Sequence, residues 1–249
     1  MTQLPEFSDD FRDDKLDRSK WLPFYLPQWS SRTASAATYA TGPDGLTLTI
    51  GPDQQPWLPE IDGLLRVSSL QTGVFAGALG STAGQHRFNP ALRVREEQDA
   101  ERLYVPLYGR FEMHARMELH PGQLAALWMI GFEDEPDRSG EITIMEIFGD
   151  GIDETGTELG HGIKAVNDPR LVTDFIAPRL SFSPERYHTY RADWDANGVS
   201  FYLNGQMLRR VEQSPAYPMQ FMLNVYELKP MDAPPPMMQV DWFRGYRPI

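Results

Sequence analysis

Two Asn-Gly pairs, each set between runs of alternating apolar and polar residues, constrain the fold of this chain more than any other feature. Residues 187–194 and 199–203 flank Asp195-Ala196-Asn197-Gly198, and Asn204-Gly205 leads into residues 207–211. Asn-Gly suits a two-residue turn in which both central residues need positive φ, so these runs predict antiparallel hairpins. Period-two alternation recurs at 45–50 and 108–118, and short apolar runs occur at 124–130 and 141–148. Residues 219–226 and 238–246 read as the last two strands, separated by the Pro-rich loop 230–236. Almost no segment sustains a 3.6-residue apolar period, and no internal repeat or linker divides the chain. Many short strands joined by Gly, Pro and Asn turns predict an all-β fold, a sandwich or jelly roll of two antiparallel sheets, in one domain over residues 1–249. The longest irregular stretch, 71–100, is glycine-rich with a charged end; long loops in compact domains usually carry function.

Composition narrows the function classes. With 23 Lys+Arg against 35 Asp+Glu the net charge is −12. That field repels phosphate backbones and anionic lipid, so neither nucleic acid nor a membrane is expected as a partner, whereas a neutral substrate meets no such barrier. The absence of Cys removes thiol catalysis, disulfides and zinc sites built on Cys. The five His lack metal-site spacing, and no phosphate loop, dinucleotide fingerprint or Gly-x-Ser-x-Gly is present. Met1–Phe7 has neither a basic patch nor an apolar run, so no signal peptide is read and a cytoplasmic location is expected, with an extracellular one as the alternative.

The chemically informative run is Gly140-Glu141-Ile142-Thr143-Ile144-Met145-Glu146-Ile147-Phe148-Gly149. On a regular strand, positions five apart face opposite sides, which would turn Glu146 into the core. Burying a carboxylate there is costly. One extra residue, a β-bulge near Met145, corrects the parity. Glu141, Thr143 and Glu146 then share one open face while Ile142, Ile144 and Ile147 stay buried. The two Glu are then about 13 Å apart at Cα, and side chains leaning inward can bring the carboxyls to the roughly 5–5.5 Å that a retaining glycosidase needs. Two Glu on an exposed strand face are, by spacing alone, more often only solvated surface, so the pair in isolation is a weak signal.

The whole chain, however, resembles glycoside hydrolase family 16. The run at 140–149 is similar to the family's bulged Glu-x-Asp-x-(x)-Glu strand, in its laminarinase-like form Gly-Glu-Ile-Asp-Ile-Met-Glu. Tyr108-Gly109-Arg110-Phe111-Glu112 resembles the strand entering the cleft, and Ala125-Ala126-Leu127-Trp128-Met129 the run upstream of the catalytic strand. His188-x-Tyr190-x-x-x-Trp194 with Phe201-Tyr202-Leu203-Asn204-Gly205 is similar to the family hairpin, and Val240-Asp241-Trp242-Phe243-Arg244-Gly245-Tyr246 to its closing strand. Asp9-Asp10-Phe11 and Leu16-Asp17-x-x-Lys20-Trp21 fit at the N-terminus. One position departs: the family's middle Asp is Thr143.

The resemblance implies a concave sheet with a sugar-binding cleft and retaining, endo-acting hydrolysis of a β-linked polysaccharide, a β-1,3-glucan or mixed-linkage glucan. It assigns Glu141 as nucleophile and Glu146 as acid/base, with Thr143 beside them. Without the Asp, a catalytically impaired carbohydrate-binding jelly roll is the alternative, and a protein-interaction domain the third reading. Trp128, Tyr226 and Asn224 are expected at the sugar, and His161 is a candidate on the neighbouring strand. Trp194 suits cleft or core equally, and Trp57 rim or buried anchor. Arg87 and His86, in the 71–100 loop, are candidates for sugar hydroxyls or for a structural role. Glu227 is a weaker candidate than Asn224. No cofactor and no catalytic metal are expected; some relatives hold a structural calcium between the terminal strands, which makes Asp241 a candidate ligand. The acidic run 150–154 does not fit a calcium loop. A monomer acting on a polysaccharide or oligosaccharide is expected.

Overall fold

The computed structural model describes residues 3–248. In chain order its strands are β1 (Phe7–Asp9), β2 (Thr38–Gly42), β3 (Gly45–Thr49), β4 (Arg66–Gln71), β5 (Gly73–Val74), β6 (Glu101–Arg102), β7 (Gly109–Glu118), β8 (Gln123–Gly131) and β9 (Glu141–Phe148). There follow β10 (Ile152–Asp153), β11 (Gly156–Glu158), β12 (Gly160–Lys164), β13 (Asp174–Ile176), β14 (Arg179–Leu180), β15 (His188–Asp195), β16 (Gly198–Leu203), β17 (Gln206–Val211), β18 (Met219–Glu227) and β19 (Met237–Tyr246). The only α-helix among the described residues is the four-residue turn Pro59–Asp62. Two antiparallel sheets dominate. One runs β17-β16-β15-β7-β19-β3-β2, with β1 on β19; the other runs β13-β12-β9-β8-β18-β4. This is the all-β jelly roll that the alternating runs predict.

The sheets meet over a core that follows strand parity. Phe111, Met113, Ala115 and Met117 of β7 face Leu127 and Met129 of β8, Ile142 and Ile147 of β9, and Phe221, Leu223 and Val225 of β18. Strands β8 and β18 read as continuous apolar runs because both of their faces are covered. Leu124, Ala126, Trp128, Ile130, Met222 and Tyr226 point away from the inter-sheet core into a second cluster with Tyr25, Trp29, Trp57, Leu92 and Val94. That second cluster is made by the segments around 25–29, 57–58 and 92–94 folding over the outer face of the six-stranded sheet.

Both hairpins form, with different turns. Asn204 and Gly205 have φ of 51° and 81°, the positive pair that the Asn-Gly signal predicts. At the other turn Asp195 pairs with Gly198 across β15 and β16, and neither Asn197 nor Gly198 is left-handed. There the Asp195 carboxylate accepts the backbone N–H groups of Asn197 and Gly198 at 2.7 and 3.1 Å. A side chain thus closes the turn in place of the expected positive φ.

Candidate active site

Strand β9 carries the expected bulge. Against β8, Leu127 pairs with Met145 while Trp128 pairs with Thr143, so Ile144 is the extra residue. Against β12, Gly160 faces Glu146 and Gly162 faces Thr143, three residues matched by two. Ile144 and Met145 are both buried in the inter-sheet core. Glu141, Thr143 and Glu146 therefore share the outer face. The bulge trades one ladder position for keeping a carboxylate out of the core, where it would lack water.

Lys164, the last residue of β12, pairs with Glu141 in register. Its ammonium lies 2.9 Å from Glu141 Oε1 and 3.2 Å from Glu146 Oε2. Those two oxygens are thus at most 6.1 Å apart, the sum of the two contacts. The Thr143 hydroxyl donates to Glu141 Oε1 at 2.6 Å. The side chains of Glu141 and Glu146 are 6% and 17% exposed. Burial raises the Glu146 pKa, with the nearby Glu141 charge adding to it and Lys164 opposing. Burial works against the charge on Lys164, but the two carboxylates outweigh it and hold its pKa above the ordinary value. Beneath Lys164 lies the Phe175 ring of β13, 4.6 Å from the ammonium.

Glycines on β12 make this approach possible. Gly162 has φ of +148°, and a Cβ there would sit 2.2 Å from the Asp174 carbonyl oxygen. At Gly160 a Cβ would meet the Phe175 ring at 2.6 Å and Glu146 Cβ at 3.1 Å. The cleft face of β12 is therefore bare backbone until Lys164, which leaves room for Phe175 and the carboxylates.

A cavity of about 120 Å³ opens onto Glu141, Glu146 and Lys164, with Trp128, His86 and Tyr226 among its walls. Trp128 Nε1 donates to Asn224 Oδ1, while Asn224 Nδ2 is buried without a partner. His86 packs edge-on against Trp128 with ring centroids 5.0 Å apart, and its Nδ1 is also unpartnered. Burial depresses the His86 pKa, with Glu141 opposing and Lys164 reinforcing, so the imidazole is neutral near pH 7. Glu133, almost fully buried, accepts the His86 backbone N–H at 2.5 Å. Burial pushes its pKa up to about 8 against that hydrogen bond.

Three expected site residues lie elsewhere. Trp194 is on the other sheet, buried against Tyr108 and Phe111 with Nε1 donating to Ser214. His161 shares the parity of Ile163, so it faces the inter-sheet core, 5.4 Å from the Phe201 ring, with Nδ1 at 3.0 Å from the Leu159 carbonyl. Arg87 turns back on its own loop, donating to the Pro90 carbonyl, while its neighbour His86 takes the cleft position. Asn224 stands behind Trp128 rather than on the cavity wall. Trp57 is a buried anchor, its Nε1 donating to Asp62. Glu227 is ion-paired with Arg66 at 2.6 Å. Spacing along one strand cannot reveal Lys164 or Phe175, because both reach the site from strands across the sheet.

The suggested calcium ligand does not fit a metal. Arg12 donates to one Asp241 oxygen and to the Pro43 carbonyl, and His114 Nδ1 lies 3.1 Å from the other Asp241 oxygen. Asp241 is thus engaged by two side chains, and no group of three or more His, Asp or Glu suited to a metal occurs among the described residues. A larger groove of about 500 Å³ lies beside Trp242 and Arg244, on the sheet opposite the carboxylates.

A jelly roll that presents two acidic side chains from a bulged strand beside a tryptophan-walled cavity defines a carbohydrate-active protein. The model of the glycosyl hydrolases family 16 matches residues 102–244, more than half of the chain, and the chain belongs to that family. Among solved structures it is similar to a GlcNAcα1-4Gal-releasing endo-β-galactosidase from Clostridium perfringens, at 27% identity and a TM-score of 0.84. That similarity covers 99% of this chain but 63% of the other, so this chain spans less than two thirds of it. The laminarinase of Flavobacterium sp. UMI-01 has 13% identity and a TM-score of 0.67, over 98% of this chain and all of that one. The laminarinase catalytic domain of Thermotoga maritima MSB8 has 17% identity and a TM-score of 0.59, over the full length of both chains. These last two likenesses speak to fold alone. No curated protein sequence matches the chain.

Proposed function

We propose that the protein is a retaining glycoside hydrolase in which Glu141 is the nucleophile and Glu146 the acid/base. The observation that supports this is the pair of carboxylates on one face, both in contact with Lys164, with Glu141 Oε1 and Glu146 Oε2 at most 6.1 Å apart, a spacing compatible with the roughly 5–5.5 Å of retaining enzymes. In the first step Glu141 attacks the anomeric carbon, the glycosidic C–O bond breaks, and Glu146 gives its proton to the departing oxygen. In the second, Glu146 takes a proton from water, the water oxygen attacks the anomeric carbon, and the bond to Glu141 breaks. The raised pKa of Glu146 suits the group that must start protonated. The Thr143 hydrogen bond suits the group that must stay ionised.

For the substrate, a β-galactoside ranks ahead of the β-1,3-glucan that the laminarinase-like motif suggests. The support is the 27% identity to an endo-β-galactosidase against 13% and 17% to the laminarinases. A second reading, a glycan-binding relative without turnover, draws on Thr143 at the family's Asp position. Reducing-end release from β-galactan, laminarin and lichenan separates the two. Hydrolysis lost in both Glu141→Gln and Glu146→Gln supports the enzyme; hydrolysis that survives either change overturns the assigned roles.

A further inference from the structure

The loop that supplies His86 carries two arginines that the cavity leaves unused. Most basic side chains of this acidic chain lie against a carboxylate; the nearby Arg95, for one, pairs with Glu60 at 3.1 Å. Among the described residues Arg87 and Arg93 contact backbone carbonyls instead. Arg87 Nη2 donates to the Pro90 carbonyl at 2.5 Å. Arg93 Nη1 donates to the same oxygen at 2.9 Å and to the Leu92 carbonyl at 2.8 Å. The two guanidinium nitrogens are thus at most 5.4 Å apart, the sum of their contacts with Pro90. A carbonyl satisfies a donor but does not neutralise a charge, and like charges this close repel. An oxyanion lying across both groups would replace that repulsion with charge-assisted hydrogen bonds. The net charge of −12 bears weakly on this spot, because exposed charges are screened over about 8 Å at physiological ionic strength.

The loop is anchored on both sides of these groups. The Gln85 side chain bonds Gln220 and the Phe75 N–H, and Glu133 accepts the His86 N–H. Leu92 and Val94, on either side of Arg93, are buried in the second core cluster, so Arg93 projects outward at an exposed position. Arg87 adjoins His86, which walls the cavity, and its carbonyl accepts from Asn167 Nδ2 at 3.2 Å, just past Lys164. Arg87 therefore stands at the cleft rim, between the cavity wall and the exit of β12. Phe88, 39% exposed, comes next. Its ring lies 5.8 Å from that of His86, which lies 5.0 Å from Trp128. Aromatic groups thus lead from the cavity out to the rim, and an exposed ring suits the apolar C–H face of a sugar. We propose that Phe88, Arg87 and Arg93 form a rim subsite for a sugar that carries an anionic substituent, a sulfate ester or a carboxylate, on the glycan that enters the cleft.

This deepens the hydrolase reading by naming an acidic glycan as the substrate class, and rests on it for the path of the glycan. Binding is measured on the full chain carrying Glu146→Gln, so that turnover plays no part. β-Galactan oligosaccharides are prepared in three forms on one backbone: neutral, sulfated, and oxidised at C6 to the carboxylate. Calorimetry should show about tenfold or more tighter binding of a charged form than of the neutral one, and the form preferred tells sulfate from carboxylate. The Nε–Hε NMR signals of Arg87 and Arg93 should move with the charged form and stay still with the neutral one. Adding Arg87→Gln and Arg93→Gln together should remove most of the preference. Arg93→Gln alone, at an exposed position between two buried anchors, should reduce it by about threefold or more and serves if the double change does not fold. Equal binding of the three forms, binding of none, or a preference that survives these substitutions overturns the rim subsite. Hydrolysis of neutral galactan with no preference for charge would sink the subsite and spare the hydrolase reading; the preference without hydrolysis would do the reverse.

Discussion

Replacing Lys164 with Met removes the only cation among the described residues in contact with both carboxylates and keeps the side-chain length. At 3.2 Å from Glu146 Oε2, a unit positive charge at an effective dielectric of about 20 favours the ionised carboxylate by about 5 kcal/mol. Lys164 is 30% exposed, so water takes up part of that, and about 2 kcal/mol is a working figure. The sign follows from the neighbours. Burial and Glu141 both favour the proton on Glu146, and Lys164 is the influence that opposes them. Without it Glu146 keeps its proton to higher pH, and the alkaline limb of the pH–rate profile moves upward by about one to two pH units at 1.36 kcal/mol per unit. The assay is kcat/KM for wild type and Lys164→Met across pH 4–9 on whichever polysaccharide is cleaved. A limb that stays in place, or moves down, would refute the claim that this ammonium sets the proton affinity of the acid.

Three further outcomes follow from individual contacts. Thr143→Val removes the hydroxyl that donates to Glu141 Oε1; a hydrogen bond to a charged group is worth about 1.5–3 kcal/mol, so kcat should fall about 10- to 100-fold with the melting temperature nearly unchanged. Glu133 has its folded pKa raised to about 8 from 4.5, so the stability it contributes is present below pH 4.5 and is lost as pH rises toward 8. Glu133→Gln keeps an acceptor for the His86 N–H and should leave stability at pH 4.5 unchanged while gaining about 3 kcal/mol at pH 7, read by denaturant titration at the two pH values. Tyr217→Phe strands the Gly140 N–H and Asp168, which the hydroxyl joins at 2.7 Å each; unfolding midpoints should show a loss of about 2–3 kcal/mol.

The bulge in β9 is legible from the sequence because one residue of parity decides whether Glu146 meets water or the core, and a carboxylate tolerates only one answer. The hairpins are legible from their turn residues. Side-chain direction on the other strands is harder, since it depends on irregularities with no local signature. His161 falls on the core side because it alternates with Gly160, Gly162 and Lys164, whose face of β12 is fixed by pairing with the bulged strand. His86, at φ of 52°, takes the cleft position in place of Arg87. Trp194 lies on the sheet away from the cleft, and an alternating strand of a sandwich looks the same on either sheet. Lys164 comes from 18 residues beyond Glu146, across a turn and two minor strands, so its pairing with both carboxylates belongs to sheet topology rather than to any motif. The loop cover over β8, β18 and β4 is equally a property of the assembled chain: Trp29, Trp57 and Leu92 converge from segments far apart in sequence.

The stereochemistry of the first-formed product bears most directly on the claim that Glu141 and Glu146 work as nucleophile and acid/base. Proton NMR of the anomeric signals during early hydrolysis resolves it. The account predicts that the β-glycoside yields the β-anomer first, with the α-anomer growing in only by mutarotation; an α-anomer as the initial product would contradict it.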